Sequence, residues 1–119
     1  MSRIVLGIVV GVAAPLVVTV GALGGTTAPA PQRVAVGMTE FKFTVSPKTV
    51  RKGAVITFAV TNKGGIGHNF KIAAKKTPLI AAGKRGALKV TFAKAGRYAY
   101  LCTLPSHAAA GMKGVLIVK

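Results

Sequence analysis

The chain has 119 residues, enough for one compact domain and too few for a second core of any size. Seventeen Lys and Arg face one acidic residue, Glu40, for a formal net charge of +16, yet 51% of residues are hydrophobic and 15% charged, a balance that folds rather than stays disordered. One cysteine excludes an intrachain disulfide and zinc sites of several thiolates, and two histidines are too few for a multicopper or di-iron enzyme. One carboxylate side chain with no Asp excludes paired-acid glycoside hydrolysis and a Ser-His-Asp triad. Charge of a single sign, taken alone, fits an acidic partner: nucleic acid, an anionic membrane surface or an acidic protein.

The N-terminus comes first in chain order. Between Arg3 and Arg33 no residue is charged, and Ile4 to Leu23 is a run of twenty mostly apolar positions. At about 1.5 Å per helical residue such a run crosses a hydrocarbon core of roughly 30 Å. A short basic start before it marks an export signal, so residues 1–23 are expected to be an apolar helix serving as signal peptide or membrane anchor. Ala28-Pro29-Ala30 has the small residues of a cleavage site, although Pro31 would follow the cut; a cut near Ala22 or Gly24, or an uncut anchor, also fits. Residues 24–32 (GGTTAPAPQ) read as a linker.

From Arg33 to Lys119 the pattern is that of strands. Apolar and polar residues alternate in Phe41-Phe43-Val45, Ile56-Phe58-Val60 and Leu88-Val90-Phe92. Further strands are expected near Val34 to Met38, after His68, from Arg97 to Cys102 and from Val115 to Val118. Ser46-Pro47, Lys52-Gly53, Asn62 to Gly65, Gly83, Ala95-Gly96 and Gly111 punctuate them. About seven short strands without a long helix predict an all-β domain, an antiparallel β-sandwich over 33–119. Lys42 and Lys89 are expected on solvent-facing strand positions that discourage edge pairing.

Residues with chemistry collect near the C-terminus. Cys102, His107 and Met112 stand in CTLPSHAAAGM as Cys-x4-His-x4-Met, and His68 stands in GIGHNF. One thiolate, two imidazoles and a thioether suit copper in both of its common oxidation states, and three strong ligands with a weak axial Met describe a blue-copper electron-transfer site. A tight loop between neighbouring strands can curl three of these side chains onto one ion, with His68 arriving from an adjacent strand. Singly, each residue has a plainer use: Cys102 as a small buried hydrophobe, His68 as a turn residue, Met112 as core filling. The chain's one Cys and both His, with Met112, fall into a single ligand pattern, which favours copper.

These segments resemble the cupredoxins, the blue-copper family that includes plastocyanin, azurin, auracyanin and rusticyanin. FKFTVSPKTVRKGAVITFAVTN is similar to the family's early strands, GHNF to its first-histidine motif, and YAYLCTLPSHAAAGMKGVLIV to its ligand loop and last strand. The loop spacing agrees better with rusticyanin and auracyanin than with plastocyanin or azurin. The resemblance implies a Greek-key β-sandwich that binds one type 1 copper ion through His68 Nδ1, Cys102 thiolate, His107 Nδ1 and a long bond to Met112. It further implies that Asn69 bonds across to Thr103 beside the cysteine and that the Gly67 carbonyl approaches the copper opposite Met112. His107 would be the electron exit, within a small apolar surface of Leu104, Pro105, Ala108, Ala109 and Ala110.

The implied function is an exported electron carrier with no enzymatic turnover, since protein fills every coordination position. A copper chaperone or storage module of the same fold is the alternative. Lys71, Lys75, Lys76, Lys84, Arg85, Lys94, Arg97 and Lys113 would steer a monomer toward an acidic redox protein on the periplasmic or other extracytoplasmic face of a membrane, with the membrane contacted by any retained N-terminal segment and by anionic headgroups. A nucleic-acid partner is not expected, because the chain has an export segment, no Trp and 6% aromatic residues that occupy strand patterns.

Overall fold

The computed structural model describes residues 29–119. The expected signal or anchor helix over 1–23, and most of the linker, lie outside the described residues. Nine strands make up the domain: β1 (Gln32–Thr39), β2 (Lys42–Ser46), β3 (Thr49–Val50), β4 (Val55–Asn62), β5 (Lys71–Ile72), β6 (Lys75–Lys76), β7 (Arg85–Thr91), β8 (Gly96–Leu101) and β9 (Lys113–Val118). They form two sheets, in the orders β2-β1-β4-β7 and β3-β9-β8-β5-β6. The first strand starts at Gln32, whose Oε1 accepts a hydrogen bond from Arg51 N at 2.7 Å.

Period-two alternation builds the interior. In β1, Val34, Val36 and Met38 are buried while Arg33, Ala35 and Thr39 are exposed; in β4, Ile56, Phe58 and Val60 are buried. Side chains from alternate positions of both sheets meet in one core, the arrangement that removes most apolar area from water in a sandwich. Lys42 and Lys89 face solvent on β2 and β7, the edge strands of the four-stranded sheet.

Three expectations need correction. The sandwich is mixed rather than antiparallel, because β1 runs parallel to β4 and β3 parallel to β9. Nine strands replace about seven, since β3, β5 and β6 are two-residue pieces too short to show alternation. Phe41 is not a strand position: it lies in the turn between β1 and β2 and is 39% exposed. Its ring packs against a histidine instead of entering the core.

An aromatic cluster fixes the end of the sandwich that carries the chemistry. Phe70 lies 5.2 to 5.5 Å, ring centre to ring centre, from Phe43, Phe58 and Tyr100. Such contacts add about 0.5–1.5 kcal/mol per pair beyond area burial. Phe70 follows His68 by two residues and Tyr100 precedes Cys102 by two, so in extended chain each ring points inward on the same side as that neighbour. Gly114 stands opposite Tyr100 in β9, and a Cβ there would collide with the Tyr100 ring and hydroxyl.

Candidate metal centre

The ladder between β8 and β9 sets the first pair of residues. Its register pairs Tyr100 with Gly114 and Leu101 with Lys113. One step further, Cys102 N donates to Met112 O at 3.1 Å, so Cys102 and Met112 face each other on the inward side, both fully buried. Between them the loop curls into a helix-like turn. His107 N donates to Leu104 O at 3.1 Å, Ala110 N to Ser106 O at 3.0 Å and Met112 N to His107 O at 3.0 Å. Ser106 takes a left-handed φ of 69° directly before His107 and Gly111 a φ of 119° directly before Met112. These reversals turn the chain sharply beside both side chains, and the non-glycine one at Ser106 is the kind of strained backbone found at binding sites.

His68 enters from the loop between β4 and β5. A two-way bridge with Ile80 holds it, His68 N to Ile80 O at 3.1 Å and Ile80 N to His68 O at 2.8 Å. Asn62, fully buried, ties the preceding loop down through Nδ2 to the carbonyls of Ile66 and Ile80, both at 2.8 Å, and accepts from Gly64 N at 2.8 Å. At Gly67 a Cβ would come within 3.1 Å of Leu79 Cδ1, the end of an exposed side chain that would have to give by a few tenths of an ångström. The β5·β8 register, Ile72 opposite Tyr100 and Lys71 opposite Leu101, continues to Asn69 and Thr103. Asn69 Nδ2 donates to Thr103 Oγ1 at 2.7 Å and Thr103 N donates to Asn69 Oδ1 at 2.8 Å.

Together these elements bring His68, Cys102 and His107 into one buried group whose ligand atoms lie within 4.8 Å of one another. His68 Nδ1 is 3.2 Å from His107 Nδ1, and Cys102 Sγ is 3.5 Å from His107 Nδ1. A first-row ion bonded at about 2.0–2.1 Å to nitrogen and about 2.3 Å to sulfur holds such donors about 3–4 Å apart. Two imidazoles and one thiol converging in the buried interior, with Met112 buried beside the cysteine, fit that ion.

Two neighbours of this group were not found by sequence reasoning. Glu40, in the β1–β2 turn, accepts from His68 Nε2 at 2.9 Å. The His68 bond first, and then the bonds from Gly65 N at 3.0 Å and Ile66 N at 3.3 Å, hold its carboxyl below the ordinary carboxylate range. Phe41 sets its ring edge-on to His107 at 4.9 Å. Glu40 had one signal in the sequence, its standing as the sole acidic residue. Phe41 had none, because its alternation with Phe43 imitates a strand.

The expected exit surface is partly open. His107 is 9% exposed, Leu104 and Ala108 are half-buried, and Pro105, Ala109 and Ala110 are exposed. Phe41 extends this surface at His107, and Ile66 and Leu79, the latter 63% exposed, add large apolar side chains next to the His68 loop.

Residues 31–119 match the model of the copper-binding proteins of the plastocyanin/azurin family. The chain belongs to that family. Among its relatives, the copper-resistant cuproprotein CopI of Rubrivivax gelatinosus is 28% identical over 117 residues, covering 80% of this chain and 71% of CopI. Rusticyanin of Acidithiobacillus ferrooxidans is 39% identical over 83 residues, covering 54% of this chain and 53% of its own. The match thus spans about half the length of the rusticyanin. The solved structure of reduced auracyanin from the photosynthetic bacterium Roseiflexus castenholzii superposes with a TM-score of 0.62 at 22% identity, over 78% of this chain and all but 1% of auracyanin, which shows the shared fold. Family and donor set agree on the cofactor: the cupredoxin site of this chain is one for a single type 1 copper.

Proposed function

We propose that the chain is an exported one-electron carrier with His68, Cys102, His107 and Met112 as its copper ligands. The observation that supports this reading is the closed, buried convergence of two Nδ1 atoms and one Sγ within 4.8 Å, with a thioether residue buried alongside. When bound, the copper would supply a one-electron Cu(I)/Cu(II) couple. The protein's part is to hold the donors still. The Cys102–Met112 backbone pairing, the Asn69–Thr103 bonds and the Phe70–Tyr100 contact each resist rearrangement of the donors between the two states. With protein groups in all ligand positions no coordination position is left for a substrate, which favours a carrier over an enzyme.

Electrons would pass through the edge of His107 into the apolar rim of Leu104, Pro105 and Ala108 to Ala110, enlarged by Phe41. Docking would be helped by a row of lysines on the five-stranded sheet: the register sets Lys76, Lys71, Leu101 and Lys113 side by side across β6, β5, β8 and β9, next to the ligand loop. Like charges directly opposite one another destabilise a sheet, as Lys71 and Lys76 do here, and an acidic redox partner offsets that repulsion. The apolar N-terminal run supports export and operation outside the cytoplasm.

Addition of Cu(II) to the purified chain tests the reading. An intense thiolate-to-copper band in the red, a reversible one-electron wave, and loss of both in Cys102→Ser are expected; a colourless protein overturns it. Similarity to CopI favours a second reading, a copper chaperone or store serving copper tolerance. Ready transfer of Cu(I) to a chelating acceptor, with no reversible wave, would select it.

A further inference from the structure

We infer that Glu40 is a positioning residue for the copper ligand His68, fixing its ring by the hydrogen bond it accepts and tuning the metal's preference between oxidation states by its charge. The inference rests on the copper site and is independent of whether the chain carries electrons or stores metal.

The geometry is that of a built carboxylate seat. Glu40 Oε1 receives His68 Nε2 at 2.9 Å, and the opposite ring nitrogen, Nδ1, faces His107 Nδ1 at 3.2 Å. A ring that donates its Nε2 proton to a carboxylate keeps an unprotonated lone pair at Nδ1, which is the form a metal requires. The seat on the carboxylate side is equally specific. Gly65 N donates to both carboxylate oxygens, at 3.0 and 3.1 Å, and Ile66 N adds a third bond at 3.3 Å. Gly64 leaves the space, because a Cβ there would collide with the Glu40 carboxylate. The loop that presents His68 is therefore wrapped around this side chain.

Chemistry gives the arrangement its second consequence. His68 is fully buried, and a full negative charge bonded to its far nitrogen makes the ring a stronger electron donor. That favours the higher-charged Cu(II) over Cu(I). From Arg33 onward the chain has sixteen basic residues and this one acidic residue, so Glu40 supplies the one negative side-chain charge at the site besides the Cys102 thiolate. Partners that hold a ligating histidine are worth about 10–100-fold in metal affinity when removed.

The test compares the full-length wild-type chain with Glu40→Gln, reading the midpoint potential, Cu(II) retention against a chelator, and the thermal stability of the copper-free protein. Glu40→Gln is expected to remain blue, to weaken Cu(II) relative to Cu(I) by about tenfold, and so to raise the potential by about 59 mV for a one-electron couple. A Gln variant that is less stable without copper yet has the wild-type potential shows only a loop brace and overturns the inference. Should the variant fail to fold, ring-nitrogen NMR of the wild-type Cu(I) form decides. A slowly exchanging proton on His68 Nε2 supports the inference, and a freely exchanging one overturns it. A wild-type chain that never takes up copper overturns the site itself and this inference with it, whereas a blue wild type matched in every readout by Glu40→Gln overturns the role of Glu40 alone.

Discussion

Asn69 and Thr103 stand opposite each other where the ladder between β5 and β8 ends, and two hydrogen bonds of 2.7 and 2.8 Å, both using the Asn69 side chain, replace the missing backbone pair. Their chain neighbours are His68 and Cys102, so this clamp joins the two segments that deliver ligands from different parts of the sequence. Asn69→Ala is expected to cost about 1–3 kcal/mol of stability, from two lost bonds and an unpaired Thr103 N–H. It should also weaken copper retention by about 10–100-fold and shift the potential. Thermal melts of the copper-free chain, chelator competition and voltammetry check the three effects.

Gly114 is the space that Tyr100 needs. A Cβ at this position meets the ring and hydroxyl of Tyr100 across the β8·β9 ladder, while a Cβ at Gly37 finds its nearest atom at 3.7 Å, an ordinary contact. Gly114→Ala should therefore destabilise by about 1–3 kcal/mol through overpacking, and Gly37→Ala by much less. Because Tyr100 packs on Phe70, the first variant should also disturb the copper spectrum.

Burial raises the pKa of Tyr100 above its ordinary value of 10.0. The folded state then holds the phenolic proton at a pH where the unfolded chain has lost it, so this contribution is fully present below about pH 10 and is lost as pH rises through the folded value. Tyr100→Phe removes the ionisation and keeps the ring. Melting temperatures taken from pH 9 upward should fall less steeply for the variant than for the wild type.

Lys71, Lys76 and Lys113 lie in one row beside the ligand loop, exposed on the same face of the five-stranded sheet. Changing all three to Gln should slow electron transfer from the reduced protein to hexacyanoferrate(III), a small anionic oxidant, by several-fold at low salt. The difference should disappear near 1 M salt, where the screening length is about 3 Å. Stopped-flow traces at several ionic strengths test this, and equal rates at low salt would remove the row from docking.

Much of the candidate site was legible because its spacing is local. Cys102, His107 and Met112 belong to one connection between adjacent strands, and a short loop has few ways to place three side chains. The strands with clean alternation, β1, β4 and β7, were legible for the same reason, since the pleat repeats every two residues. Phe41 was misread because its alternation continues one residue beyond the strand into the turn. The two-residue strands carried no periodic signal at all.

Other features depend on contacts that no local pattern encodes. Parallel pairing of β1 with β4, and of β3 with β9, follows from the path of the chain between sheets. Glu40 reaches His68 across 28 positions only because β1 lies beside β4, which brings the β1–β2 turn against the loop leaving β4. The all-β class, the copper-suited donor set and the excess of positive charge are readable from residue chemistry and short-range spacing. Only the folded arrangement places Glu40, the one acidic side chain, on His68 and lines up three lysines beside the loop. Both come from the register and order of strands, which are set by burying the whole core at once rather than by any single stretch of residues.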